Sequence, residues 1–206
     1  MVIAWQNGFM PYTNVPVEGW KKISERLIQE HPLKKDELVK YCLKSWDDIF
    51  SCKLGGIYQI GKNIFPKPQI MGFFLHELIP LQIETAYPEK FRIEQNASDK
   101  DIVCLTDEIH SIEIKTSSDP KKIFGNRSYS QATQKDKKKK SGYYLAINFE
   151  KFKKDDTSQP QIIRIRFGWL DHDDWVGQTA SSGQQARLSK EVEENKLLTI
   201  YELGES

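Results

Sequence analysis

One five-residue segment constrains the fold more than any other: Ser111-Ile-Glu-Ile-Lys115 alternates polar and apolar side chains at every step. A period of two marks a strand with one face buried. Ile112 and Ile114 therefore point to an apolar underside, while Ser111, Glu113 and Lys115 share the opposite, wet face. Taken alone, Glu113 and Lys115 are as well explained by a surface ion pair as by a site. Their neighbourhood shifts the balance. Residues 91–94 and 101–105 also have the composition of short strands, and the polar turn Thr106-Asp107-Glu108 joins the second of these to 111–116 as a hairpin. The hairpin brings Asp101, 12 positions upstream, beside Glu113.

Helical periodicity dominates the N-terminal quarter. Residues 17–29 put Trp20, Ile23, Leu27 and Ile28 near one face and are bounded by Pro32; residues 36–52 repeat the pattern with Leu38, Cys42, Trp46 and Ile49 before Gly55-Gly56. Residues 54–60 suit a short strand or turn. Residues 70–79 follow Pro66 and Pro68, which suit a helix entrance, and Pro80 limits their continuation. This helix is apolar almost all round, with Glu77 its only acid, and a buried carboxylate must be satisfied somewhere. Beyond the hairpin, 126–140 is basic and partly helical, 142–149 and 162–169 are strands around the charged loop 150–161, 188–195 is a helix and 197–201 a final strand. The expected architecture is one α/β domain, with a helical subregion over 1–55 and the core over 56–206.

At 38% hydrophobic and 29% charged residues the chain is able to bury a core. No apolar run approaches the roughly 20 residues a bilayer needs, and the N-terminus lacks a basic region followed by an apolar stretch. Three cysteines without a CxxC spacing suggest neither a zinc site nor a disulfide framework. A cytoplasmic protein without a membrane partner is expected. The net charge is +1, yet residues 115–154 hold twelve Lys and Arg against three Asp and Glu. Positive charge is segregated into one stretch.

Two carboxylates and an amine on adjoining strands suit phosphodiester hydrolysis. Carboxylate oxygens hold Mg²⁺, which polarises the phosphate and lowers the pKa of a bound water, and a nearby cation orients or deprotonates that water. Asp101 and Glu113 are the candidate ligands, with the carbonyl of Ile114 a third, Lys115 the cation, and Glu77 either an additional acid at the metal edge or a helix carboxylate paired elsewhere. Glu194-Asn195-Lys196 has the same triplet spacing but no acid on a partnered strand, so it is expected to be a solvated face. Asp119-Pro120-Lys121 is disfavoured by its proline.

The order of helix with Glu77, Asp101-Ile-Val, Glu113-Ile-Lys115, basic segment and strand resembles the PD-(D/E)xK nuclease core, a central mixed sheet flanked by helices. Lys100 departs from it, standing where that pattern has proline. The segments PKPQIMGFFLHELIPL (66–81), SIEIKTSS (111–118), IFGNRSYSQ (123–131) and KKSGYYLAINFEK (139–151) resemble those of the ScaI-type type II restriction endonucleases, over roughly residues 53–185. The resemblance implies a Mg²⁺-dependent homodimer that cuts double-stranded DNA at a short palindrome, with a cognate methyltransferase in the same system.

Duplex DNA then gives roles to the remaining polar residues. Lys121, Lys122, Arg127, Lys135, Lys137, Lys138, Lys139 and Lys140 suit phosphate neutralisation, although four consecutive lysines also suit a solubilising run. Asn126, Arg127, Gln131, Gln184 and Gln185 carry the fork-shaped groups that read purines in the major groove. His76 is expected in a structural or outer role, and the Asp171-His172-Asp173-Asp174 run as a solvated turn. Gly56-Ile57-Tyr58 matches half of another nuclease motif whose second half is missing. Two alternatives keep the same core and put it to a different use. One is a junction-resolving or repair nuclease, the other a catalytically inactive DNA-binding module.

Overall fold

The computed structural model describes residues 9–130, 140–153, 158–179 and 184–204. Helix α1 (Val17–Glu30) follows Pro16 and buries Ser24, Leu27 and Ile28. Helix α2 (Lys35–Ser51) starts where Glu37 accepts the Lys34 N–H at 3.0 Å, and it buries Leu38, Cys42, Trp46 and Ile49 along one stripe. A two-stranded hairpin, β1 (Lys53–Leu54) and β2 (Tyr58–Gln59), leads to helix α3 (Pro68–Ala86).

Helix α3 is longer than its sequence punctuation suggests, because it runs through Pro80. Proline has no N–H for the His76 carbonyl and costs about 3 kcal/mol in a helix interior. Met71, Leu75, Ile79, Pro80 and Ile83 are all buried, and at about 1.5–3 kcal/mol per large apolar side chain their burial outweighs that cost.

Strands β3 (Phe91–Ile93), β4 (Ile102–Cys104), β5 (Ile112–Ser117), β6 (Gly125–Asn126), β7 (Gly142–Phe149), β8 (Ile162–Leu170), β9 (Val176–Gly177), β10 (Gln185–Arg187) and β11 (Leu198–Glu202) follow among the described residues, with helix α4 (Lys190–Asn195) before the last. Six strands form a central sheet in the order β11-β8-β7-β5-β4-β3. Only β5 and β7 pair in parallel within it, so the sheet is mixed. A parallel pair needs a crossover, and residues 118–141 supply it, carrying β6 and a 3-10 turn, Arg127–Ser130. Strands β6, β10 and β9 form a separate three-stranded sheet that the sequence does not announce, two of its strands being two residues long.

The period of two in β5 sorts the two faces of the central sheet as expected. Ile112 and Ile114 pack with Tyr143, Leu145 and Ile147 of β7 against helices α1 to α3. The opposite face holds Tyr144, Ala146, Ile123, Leu170 and Trp175 in a second, smaller cluster. Among the described residues no helix is long and apolar enough to cross a membrane.

His31 sits at the centre of the helical layer with no exposed surface. Its Nδ1 accepts the Leu33 N–H at 3.1 Å, its Nε2 lies 3.0 Å from the His110 carbonyl, and the rings of Tyr143 and Phe167 meet its faces. Burial pulls its pKa from 6.5 down to about 4, against the opposing pull of the two backbone contacts. A lowered histidine stays neutral in the fold while the unfolded chain takes up a proton below pH 6.5. Stability from this site is therefore complete above pH 6.5 and is lost as the pH falls towards 4, by about 3 kcal/mol in all. His31→Gln keeps a donor near the Nε2 position but does not titrate. Urea denaturation at pH 7.5 and 4.5 should show the drop in stability shrinking by about 2–3 kcal/mol in the variant. An equal drop in both proteins would show that His31 is not the acid-sensitive group.

Candidate active site

The ladder between β4 and β5 consists of a single residue pair, Ile102↔Ile112. Continued by one step, that antiparallel register sets Asp101 opposite Glu113. The Asp101 side chain then takes over from the backbone: its Oδ2 accepts the Ile114 N–H at 2.6 Å. Its Oδ1 lies 2.9 Å from Nδ1 of His76 on α3. One carboxylate thus ties helix, hairpin and central strand together. One turn before His76, Gly72 faces Thr116; a Cβ there would come 2.6 Å from the threonine Oγ1. Close approach of α3 to β5 depends on that glycine.

Asp101, His76 and Glu77 line a cleft of about 920 Å³, whose lining also includes Phe73, Asp119 and Gln185. Glu94, just past β3, joins them, and nothing in its sequence context marks it. Desolvation first, and then the negative charges of Asp101, Glu113 and Glu77, hold its carboxyl above the usual range. Three acids that repel one another beside an open cleft make a site that attracts cations.

Glu113 and Lys115 do not line the cleft. They project to the other face of the sheet, and that face is covered: their side chains are only 18% and 14% exposed. The wet face inferred from the sequence is a capped polar pocket. Lys115 Nζ donates to Glu113 Oε1 at 2.6 Å, and the Tyr129 hydroxyl donates to the same oxygen at 2.6 Å. The Lys115 ammonium stands 4.9 Å from the centre of the Tyr129 ring, and the ammonium of Lys100 stands 5.2 Å from that of Tyr144. Burial pushes the Glu113 carboxyl up, but the Lys115 and Lys100 charges and the two donated hydrogen bonds outweigh it and hold the group ionised. Burial pulls both lysines down. For Lys115 the adjacent Glu113 carboxylate wins and raises it, whereas Lys100 remains below the ordinary lysine value. Burial and the Glu113 charge push the Tyr129 phenol well above its usual range, so it is a donor.

The small sheet brings together residues far apart in sequence. Asn126 pairs with Gln185 and the Arg127 N–H donates to the Gln184 carbonyl at 2.8 Å. Lys121 and Lys122 are exposed on a turn whose backbone N–H groups are capped by Asp119 Oδ1. Buried Arg166 and Asn148 hold the same turn by its carbonyls at Asp119, Lys121 and Lys122. Lys140 donates to the Ser128 carbonyl and lies over the Tyr129 ring. Gln131, Lys135, Lys137, Lys138 and Lys139 lie outside the described residues.

Two expectations are corrected. Lys196 is not on a solvated face: it is 3% exposed, with Nζ 2.7 Å from Asp174 and 3.3 Å from Asp171. Asp171 and His172 are likewise buried, so their run is no solvated turn. The polar composition of both segments conceals a buried ion cluster that closes over Tyr12 and Trp20, a structural element outside the cleft.

Comparison with known proteins identifies the family. The family model described as ScaI restriction endonuclease matches residues 10–201. The chain belongs to the ScaI restriction endonuclease family. It is 45% identical over 196 residues to the type II restriction enzyme ScaI of Streptomyces caespitosus, an alignment covering 95% of this chain and 86% of that protein. No solved structure matches the chain. The ScaI-family match contains the cleft, the Glu113 pocket and the small sheet in full.

The Gly72 contact predicts a specific cost. Gly72→Ala should lower stability by about 1–3 kcal/mol, the range for overpacking a tight contact, and adding Thr116→Ala should restore more than half of the loss. Equal urea midpoints for the single and double variants would locate the strain elsewhere.

Proposed function

We propose that this chain is a type II restriction endonuclease whose PD-(D/E)xK core hydrolyses duplex DNA, with Asp101, Glu113 and Lys115 at the reacting phosphate. Membership of the ScaI family supports the activity. One observation carries the assignment of the site: the Asp101 carboxylate is bonded to the backbone of the strand that bears Glu113 and Lys115, at the rim of the cleft.

The donor set suits Mg²⁺. Among the described residues no three Asp, Glu, His or Cys side chains close into a metal cage. Mg²⁺ needs none, since one or two carboxylates suffice while water and substrate phosphate complete its shell. Asp101 and Glu113 would hold it. In an extended strand the N–H and C=O of one residue face the same edge, so the Ile114 carbonyl faces the edge where its N–H meets Asp101, and is the third candidate ligand. When bound, the ion polarises the scissile phosphate and acidifies a water.

The chain's own residues do the rest. His76 fixes the orientation of Asp101, and Glu77 stands on the same helix as a further acid at the rim. Lys115 keeps its charge beside Glu113, where it orients the attacking water and offsets charge building on the phosphate. Lys121, Lys122, Arg127 and the lysines up to Lys140 neutralise backbone phosphates, which gives affinity without sequence information. Asn126, Gln184 and Gln185, gathered on the small sheet, are the base readers. A palindromic site has twofold symmetry, so the working form is a homodimer with one active site per strand.

Wild-type protein with Mg²⁺ should cut plasmid DNA into discrete bands whose mapped ends give the recognition sequence. EDTA should abolish cutting. Lys115→Ala and Asp101→Asn should each slow cleavage by about 10²–10⁴-fold with folding intact; asparagine keeps an acceptor for the Ile114 N–H. Undiminished cutting by either variant would remove the site assignment. A smear, or a preference for four-way junctions over linear duplex, would point to a nuclease that reads shape.

A further inference from the structure

We infer that Tyr129 couples sequence recognition to catalysis, acting as a positioning residue that ties Glu113 to the sheet of base-reading residues. The inference rests on the site proposed above and gives a role to a residue outside the catalytic set.

Three features carry it. The first is the bond itself: the Tyr129 hydroxyl donates to Glu113 Oε1 at 2.6 Å, the oxygen that also accepts Lys115. The ring lies beneath the Lys115 ammonium, so a single side chain touches both members of the pair. The second is where Tyr129 resides. It belongs to the 3-10 turn Arg127–Ser130, which continues directly from Asn126 of β6 and packs on β9 and β10. Asn126 pairs with Gln185, and Arg127 bonds Gln184. The third is rigidity. Ser130 seats so closely on Gly177 of β9 that a Cβ there would collide with its side chain, Ser130 Oγ donates to the Arg127 carbonyl at 2.8 Å, and the Tyr129 ring rests on Trp175 with centroids 5.2 Å apart. The turn cannot tilt without the small sheet.

Mechanically, then, a shift of the small sheet on DNA is a shift of the Tyr129 oxygen. On the correct sequence the sheet seats fully and the hydroxyl holds Glu113 in place. On a sequence with one wrong base pair the sheet seats differently, and Glu113 loses or misplaces a partner. Partners that orient a metal ligand are typically worth about 10–100-fold in activity. Lys140, whose ammonium lies 5.1 Å from the centre of the same ring while donating to the Ser128 carbonyl, ties the phosphate-contacting segment to the same turn.

Tyr129→Phe removes one oxygen and keeps the ring between Lys115 and Trp175. The test measures single-turnover cleavage at saturating DNA for the mapped site and for sites with one substituted base pair, alongside Lys115→Ala, with DNA affinity measured in EDTA by fluorescence anisotropy. The expected result is DNA affinity within about twofold of wild type and a ratio of cognate to substituted-site rates that contracts about tenfold, the lower end of that range. A ratio within about threefold of wild type would overturn the coupling, whether both rates fall together or neither moves. Should Lys115→Ala cut normally in the same assay, the site assignment itself fails; a silent Lys115→Ala with an unchanged ratio in Tyr129→Phe removes the coupling alone.

Discussion

The Ile114 N–H gives its hydrogen bond to a side chain where a sheet would ordinarily supply a backbone carbonyl. That substitution organises the protein around it. Because the β4–β5 ladder ends after Ile102↔Ile112, the strands are free to diverge, and the exposed edge of β5 must be satisfied by something else. Asp101 supplies the acceptor with one oxygen and holds α3 through His76 with the other. Had the ladder continued, the Ile114 N–H would have a backbone partner and the Asp101 Oδ2 would lose its bond to β5. The opening costs backbone hydrogen bonds of about 0.5–1.5 kcal/mol each, and the charge-assisted bonds of Asp101 offset part of that.

Two of the ion clusters buried among the described residues differ in their balance of partners. Lys196 has two carboxylates, Asp171 and Asp174, and two aromatic rings; it is enclosed and its surroundings are apolar or paired. Glu113 is the reverse case, one carboxylate facing the fields of Lys115 and Lys100. In the Lys196 cluster burial raises the Asp174 carboxyl above its usual range, and the adjacent ammonium opposes that shift. In the Glu113 cluster Lys115 and Lys100 both act on the carboxylate, near the acidic cleft lined by Asp101, Glu77 and Glu94. In the function proposed above, a phosphate entering the cleft would meet lysines behind a row of acids, an arrangement suited to holding an anion and a divalent cation together.

Much of this was legible in the sequence because periodicity reports burial directly. The alternation in 111–115 located β5 and both its faces, and the hairpin spacing brought Asp101 alongside. The helices over 17–29 and 36–52 followed from their apolar stripes. Pro80 misled because propensity is local while the burial that overrides it is tertiary. The small sheet was invisible, since two-residue strands have no period to detect. Tyr129 was hidden for a related reason: in Arg127-Ser-Tyr-Ser it has the look of any loop tyrosine, and only the fold sets its hydroxyl against Glu113. Lys196 shows the limit from the other side, as a triplet that composition made look solvated and packing made a core residue.

The separation of Asp101 from Glu113 follows from the same alternation that located them. Residues 113 and 115 point to one face of β5, while the backbone of Ile114 points along its plane towards Asp101 and the helix carrying His76 and Glu77 lies on the other face. Asp101 therefore lines the cleft, whereas Glu113 lies on the opposite face, bonded to the hydroxyl of Tyr129. A site divided in this way, as proposed above, has one acid on the cleft wall and one bonded to a residue that packs on the small sheet. Under the coupling proposed above, such a division gives the base-reading surface a physical route to the chemistry: Asp101 is held by α3 and β5, while Glu113 depends on how the small sheet is seated.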